Sequence, residues 1–332
     1  MLYLRLFGFL FCCYVAAAPA AAQDLHYSQF TQHPLHYNPA HTGVFEGTWR
    51  AGAIYRGQWL SVPVNYRSFA GAFDYKFARH DRHLIAAGIL LQHDDAGDGG
   101  LAWNQLGLSA SAAHALGEEQ ALSVGFSLGL AQRSVDLGSL KFKNQWNGDV
   151  FDPSAPSGET LNRSSGLSPS FAAGLCWQYR SGEYRHSADI GAGATHLNRP
   201  RINFAEDAEQ RLPVRLSVAA RGNLQMTEQL DLTGFALGQL MGQNREIIAG
   251  GGLRRWLDAT TAVQFSLAMR LGDAVIPCFQ LEREGWTFGL SYDWNISGFD
   301  VATRGRGGLE LSAVYRSLPA PAPRATKSCP IF

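Results

Sequence analysis

In three stretches of the chain, apolar residues occupy every second position. Leu122, Val124, Phe126, Leu128 and Leu130 alternate with Ser123, Gly125, Ser127, Gly129 and Ala131. Val263, Phe265, Leu267, Met269 and Leu271 alternate with Ala262, Gln264, Ser266, Ala268 and Arg270. Trp286, Phe288, Leu290, Tyr292, Trp294 and Ile296 alternate with Thr287, Gly289, Ser291, Asp293, Asn295 and Ser297. A period of two puts each set on its own face of a β-strand. Stripes with helical spacing are scarce. Extended along the chain, this pattern predicts about fourteen strands: 48–59, 65–77, 83–94, 101–115, 120–133, 168–180, 185–197, 212–224, 228–241, 244–256, 259–271, 274–283, 285–297 and 307–316. Alternation is weakest over 83–94, 228–241 and 244–256, and the limits of those strands are the least sharp.

Strand length and loop length then narrow the class. Soluble strands usually run five or six residues, whereas a tilted membrane crossing takes ~9–11. Connections after odd-numbered strands include the long 134–167, 198–211 and 298–306. Those after even-numbered strands are short: 78–82, 116–119, 181–184, 225–227, 257–258 and Glu284. Long loops on one end and tight turns on the other are the signature of outer-membrane barrels, whose short turns are periplasmic. The expected fold is therefore all-β, a transmembrane antiparallel outer-membrane β-barrel of about fourteen strands over 48–316. Lipid offers no hydrogen bonds, so such a sheet must close on itself. Its apolar faces turn outward, and Trp49, Trp59, Trp177, Trp256, Trp286 and Trp294 fall near strand ends, as interfacial aromatics do. The inward face carries Arg50, Arg56, Asp74, Lys76, Arg215, Arg221, Asp293 and Glu310, a mixture of signs that predicts a salt-bridged, partly filled lumen.

Composition supports export rather than nucleic-acid binding. Lys+Arg and Asp+Glu are both 28, without the basic excess that nucleic acid requires. Residues 1–22 read as a signal peptide: Arg5, an apolar run from Leu6 to Ala18, then Ala20-Ala21-Ala22 before Gln23. The run is too short to span a membrane. Cys176, Cys278 and Cys329 remain after it, too sparse and odd a set for a disulfide scaffold. Cys176 and Cys278 fall on inward faces six strands apart, so a bridge between them is not expected.

Chemistry-bearing motifs are few. Gly125-Phe126-Ser127-Leu128-Gly129 matches a nucleophile elbow, but that motif needs a sharp strand-to-helix turn, and here it lies within a strand. A hydrolase built on Ser127 is accordingly a remote reading. The acidic stretch His93–Gly99 lacks the ordered ligand spacing of a calcium loop and reads as a hairpin turn. Gly250-Gly251-Gly252 precedes no helix and is not a phosphate loop. His80, His83 and His114 mark a wet rim at the short-turn end. No catalytic residue, cofactor or metal ligand is assigned.

Three segments outside the strands look purposeful. Residues 23–47 are rich in Tyr, His, Asn and Gln, with Pro34 and Pro39 blocking helix, and are expected to form a lumenal plug or a periplasmic lid, on the periplasmic side by strand parity. The loop 134–167 holds Phe142, Trp146 and Phe151 beside Asp149, Asp152 and Glu159; aromatics beside carboxylates suggest a protein-binding rim. The tail, 317–332, has a Pro/Ala spacer and then Lys327-Ser328-Cys329-Pro330-Ile331-Phe332, with Cys329 expected as a buried structural thiol on the periplasmic side.

These segments resemble the PorP/SprF family of outer-membrane proteins linked to type IX secretion and gliding motility. The resemblance rests on Gln23-Asp24, Tyr27-Ser28-Gln29-Phe30, Pro34-Leu35, Asn38-Pro39-Ala40, Gly43 and Tyr55-Arg56-Gly57-Gln58-Trp59. It continues through Gln145, Phe151-Asp152-Pro153, Pro156-Ser157-Gly158-Glu159 and His196-Leu197-Asn198-Arg199-Pro200 to Cys329-Pro330-Ile331-Phe332. The Pro/Ala-rich stretch Leu318–Arg324 does not match it. The resemblance implies a non-enzymatic barrel in the cell outer membrane. Its partners would be secreted proteins bearing type IX C-terminal domains, such as adhesins, and periplasmic secretion or motility components. The partner-binding candidates are Phe142, Trp146, Phe151, Asp152, His196, Asn198 and Arg199. Tyr27, Gln29, Phe30, Asn38 and Pro39 are the candidates in the N-terminal segment, and Cys329, Pro330 and Phe332 those in the tail. The alternative is a passive porin or hydrophobic-solute channel.

Overall fold

The computed structural model describes residues 24–58, 66–80, 82–97, 99–136, 140–158, 165–201, 211–298 and 306–317. Among them, fourteen strands run in sequence: β1 (Trp49–Gln58), β2 (Tyr66–His80), β3 (His83–Ala96), β4 (Leu101–Ala115), β5 (Gln120–Ser134), β6 (Ser165–Arg180), β7 (Ser187–Thr195), β8 (Arg215–Gln225), β9 (Leu230–Met241), β10 (Asn244–Trp256), β11 (Thr261–Arg270), β12 (Ala274–Arg283), β13 (Trp286–Asn295) and β14 (Arg306–Arg316). Each strand pairs antiparallel with its sequence neighbours, and β1 pairs with β14 to close the barrel. The sheet therefore has no free edge, as an apolar surround requires. The fold expected from periodicity is the fold observed, and the long connections all leave the same end.

The two faces of the wall sort as alternation demands. Along β13 exposed and buried residues alternate at every position. Phe126, Phe265, Leu290 and Trp294 face outward and are exposed, as lipid-facing residues of a membrane barrel are. Ser123, Ser217, Ser266 and Ser291 face inward and are buried. Alternation weakens in β9 and β10 for a physical reason: Phe235, Leu237 and Ile248 point inward, and with Ile276 of β12 they pack around Phe30 and Tyr37 of the N-terminal segment. An apolar lumenal patch erases the polar beat without changing the fold. The β12–β13 ladder skips Ile276 and Pro277, where proline supplies no N–H to pair. Gly125 and Ser127 lie within β5, paired on both sides, with no turn at the serine. Gly250-Gly251-Gly252 likewise lies within β10.

A candidate partner-docking barrel with an occupied lumen

Residues 24–48 precede β1 and run through the barrel. They form short 3-10 turns at Phe30–Gln32, Pro34–His36 and Pro39–His41, and every residue from Tyr27 to Val44 is buried or half-buried. The segment lies inside the barrel, as the expected plug would, and its direction corrects only the placement of its start on the periplasmic side by strand parity. Asp24 bonds His196 and Arg215 at the long-loop end, with Arg215 Nη1 at 2.8 Å. At the other end, the Thr48 and Trp49 N–H groups donate to Ser317 Oγ at 2.7 and 3.0 Å beside the short turns. Strand parity fixes where β1 begins and says nothing of a segment that climbs the lumen before it.

Irregular backbone at membrane depth needs partners for its polar groups, and the inward serines supply them. Ser111 Oγ donates to Thr42 O at 2.6 Å, Ser123 Oγ to Ala40 O at 2.7 Å and Ser217 Oγ to Tyr37 O at 2.8 Å. Arg215 Nη2 donates to His36 O at 2.6 Å. Asn38 caps the turn at Pro39 by accepting from Ala40 N at 2.9 Å, while its Nδ2 donates to Leu175 O at 3.0 Å. Glycines clear the path. A methyl group at Gly125 would overlap the Pro39–Ala40 backbone, and one at Gly174 or Gly193 would overlap Asn38 or Tyr37. The elbow-like Gly125 is thus explained by the backbone passing over it.

A buried charge cluster holds the opposite side. Arg56 spans Asp293 at 2.6 Å and Glu310 at 3.0 Å, and Arg270 reaches Asp293 at 2.9 Å. The N–H groups of Ser28 and Gln29 donate to the two Glu310 oxygens at 2.9 and 2.6 Å. Ser28 Oγ donates to Asp293 at 2.6 Å, and Gln29 Nε2 donates to Ser291 Oγ at 3.1 Å. Near the short-turn end, Arg50 pairs with Asp74 at 2.8 Å, and Gly43 N donates to the same carboxylate. Glu310 and Asp74 each meet a guanidinium and a backbone N–H, and Asp293 meets two guanidiniums and the Ser28 hydroxyl, arrangements that offset desolvation. Arg270 and Ser28 carry as much of the Asp293 cluster as Arg56 does. Their positions on the polar face of an alternating strand, or beside Gln29, were the available signal.

Tyr27, Gln29, Phe30, Asn38 and Pro39 thus come together inside the lumen. His196, Asn198 and Arg199 fall just past β7. His196 is buried; its Nδ1 lies 2.8 Å from Ser170 Oγ and its Nε2 3.0 Å from Asp24. Asn198 caps the unpaired edge of β6, accepting from Phe171 N at 3.2 Å and donating to Pro169 O at 2.8 Å. Arg199 is exposed and takes a positive φ of 48°, as does His196 at 58°. His196 and Asn198 therefore face the chain itself, and Arg199 faces outward.

Phe142, Trp146, Phe151 and Asp152 form a separate group. A bridge joins Trp146 to Phe151, with ring centroids 5.8 Å apart, and Lys141 Nζ sits 5.4 Å from the Phe151 ring centroid. Gln145 ties the loop by accepting from Phe142 N at 3.0 Å and donating to Ala155 O at 3.2 Å. Trp146 is 54% exposed and Val150 62%. The Ser154 hydroxyl and N–H hold the Asp152 carboxyl below the usual carboxylate range. The result is a small ordered platform presenting an indole to solvent. Cys176 and Cys278 are unbridged and buried on the lumenal face. His83 and His114 are exposed at the short-turn end, ring centroids 4.6 Å apart. Trp59, Cys329, Pro330 and Phe332 lie outside the described residues.

A family model described as "Type IX secretion system membrane protein PorP/SprF" matches residues 20–315. No curated protein matches the sequence. Among solved structures, the Ralstonia pickettii toluene transporter TbuX is similar with a TM-score of 0.52 at 11% identity, over 87% of this chain and 94% of that one. The P. putida toluene transporter TodX gives 0.46 at 10% identity, over 86% and 93%. The TbuX likeness is one of fold.

Proposed function

Because the chain belongs to the PorP/SprF family of type IX secretion system membrane proteins, we propose that it is a non-enzymatic outer-membrane barrel that captures or anchors secreted proteins at the cell surface. The observation that carries this reading is the occupied lumen: residues 27–44 fill it and bond its wall from β1 to β14. A barrel so filled suits a docking platform better than a conduit. Partner binding then falls to the long-loop end, where Trp146 and Arg199 are exposed. Residues 1–22 act as the export signal, and the tail with Cys329, Pro330 and Phe332 meets periplasmic components of the secretion or motility machinery.

The competing reading is a channel for hydrophobic solutes. It draws on the fold likeness to a toluene transporter, and the filled lumen weighs against it. Detergent extraction from the native membrane, followed by identification of co-purifying proteins, tests the two. A tightly held secreted domain bearing a type IX C-terminal domain is expected. A barrel that comes out alone and conducts ions in planar bilayers would overturn the proposal.

A further inference from the structure

A cavity of about 570 Å³ opens at the long-loop end above the N-terminal segment, floored by Asp24, Leu25 and His26. Its volume lies within the ~300–1,000 Å³ typical of small-ligand sites. The carboxylates that line it already hold donors. Asp24 pairs with Arg215, Asp94 accepts from Ser68 at 2.6 Å, and Asp273 and Asp293 pair with Arg270. Glu246 lies 3.6 Å from Arg270.

Two of the donors that line the cavity, Arg133 and Gln239, have no acceptor among the described residues. Arg133 of β5 lies over the Trp103 ring, 4.4 Å from its centroid, and meets no carboxylate within ion-pair distance. Gln239 of β9, 8% exposed, has its Nε2 buried without a hydrogen-bond partner. A guanidinium held over an indole face still offers N–H groups for a bidentate contact with a carboxylate. A buried amide N–H₂ left unpaired costs free energy that an incoming acceptor recovers. The same lining includes the apolar side chains of Leu25, Met241 and Leu271.

We propose that this vestibule is a binding site for a carboxylate carried on an apolar body, read by Arg133 and steadied by Gln239. Resting on the anchoring function above, the carboxylate is supplied by an extended end of the secreted chain. A free organic acid shares the chemistry.

The test uses the full-length barrel in detergent and a fluorescein-labelled alanine–leucine hexapeptide, as the free acid and as the C-terminal amide, followed by anisotropy. The acid should bind at least tenfold more tightly than the amide. Arg133→Met should abolish that preference and Arg133→Lys should keep part of it, with heat-modifiable gel migration confirming an intact barrel. Gln239→Leu should weaken the acid severalfold and provides a second variant should Arg133→Met fail to fold. Equal binding of acid and amide, or an unchanged preference in Arg133→Met, overturns the site. Binding of benzoate without any binding of the peptide keeps the carboxylate site and overturns its polypeptide source. Recovery of secreted partner by the wild-type barrel is scored separately, so failure of the anchoring reading is distinguishable from failure of this one.

Discussion

Arg56 of β1 and Glu310 of β14 face each other across the seam that closes the barrel, Nη1 to Oε2 at 3.0 Å, and the same carboxylate receives the N–H groups of Ser28 and Gln29. One ion pair therefore joins three things: the first strand, the last strand and the segment between them in the lumen. Closure and plugging are coupled through it.

Arg56→Ala leaves Glu310 buried with its charge facing only backbone donors. Breaking a buried pair by removing one partner costs about 3–5 kcal/mol. The loss should appear as a lower denaturant midpoint in a urea titration of the refolded barrel. An unchanged midpoint would mean that the seam holds without this pair.

Facing directions in β5 give a second test. Phe126 is 64% exposed on the outer wall, whereas Gly125 touches the Pro39–Ala40 backbone inside. Phe126→Arg should cost ~2–4 kcal/mol near the bilayer midplane. Gly125→Val should leave the wall formed but push the N-terminal segment aside, making residues 24–44 cleavable by added protease. If Gly125→Val leaves protease resistance intact, the packing of the segment against β5 is wrong.

The direction of threading is open to labelling. With Cys329 replaced by Ser, a cysteine at Leu25 should react from outside intact cells with a membrane-impermeant maleimide. One at Phe45, which packs under Arg50 and Lys76 near the short turns, should not. The reverse pattern would invert the path of the segment.

The long loop offers a local test of partner docking. Trp146→Ala removes an exposed indole from an ordered platform, and interface aromatics of this kind commonly carry ≥ 2 kcal/mol of binding. Partner recovery should fall by at least an order of magnitude while barrel insertion is unaffected. Full recovery from both Trp146→Ala and a deletion of 141–158 would remove this loop from the proposed interface.

By itself, the sequence determined the barrel. A period of two, strand length and one-sided loops are local properties, and lipid leaves a β-protein no option but closure, so fourteen strands could be read from the chain. The family was legible too, in short motifs such as Tyr27-Ser28-Gln29-Phe30 and Asn38-Pro39-Ala40. Only the tertiary structure decided what those motifs are for. The segment has no periodicity, because many of its hydrogen bonds go to wall side chains distant in sequence, such as Ser109, 67 positions from Thr42, and Ser312, 283 positions from Gln29. Nothing local records such partners. The same holds for Arg133: its place over Trp103 follows from pairing in register across β4 and β5, but that no described carboxylate pairs with it depends on every other side chain that reaches that end of the lumen.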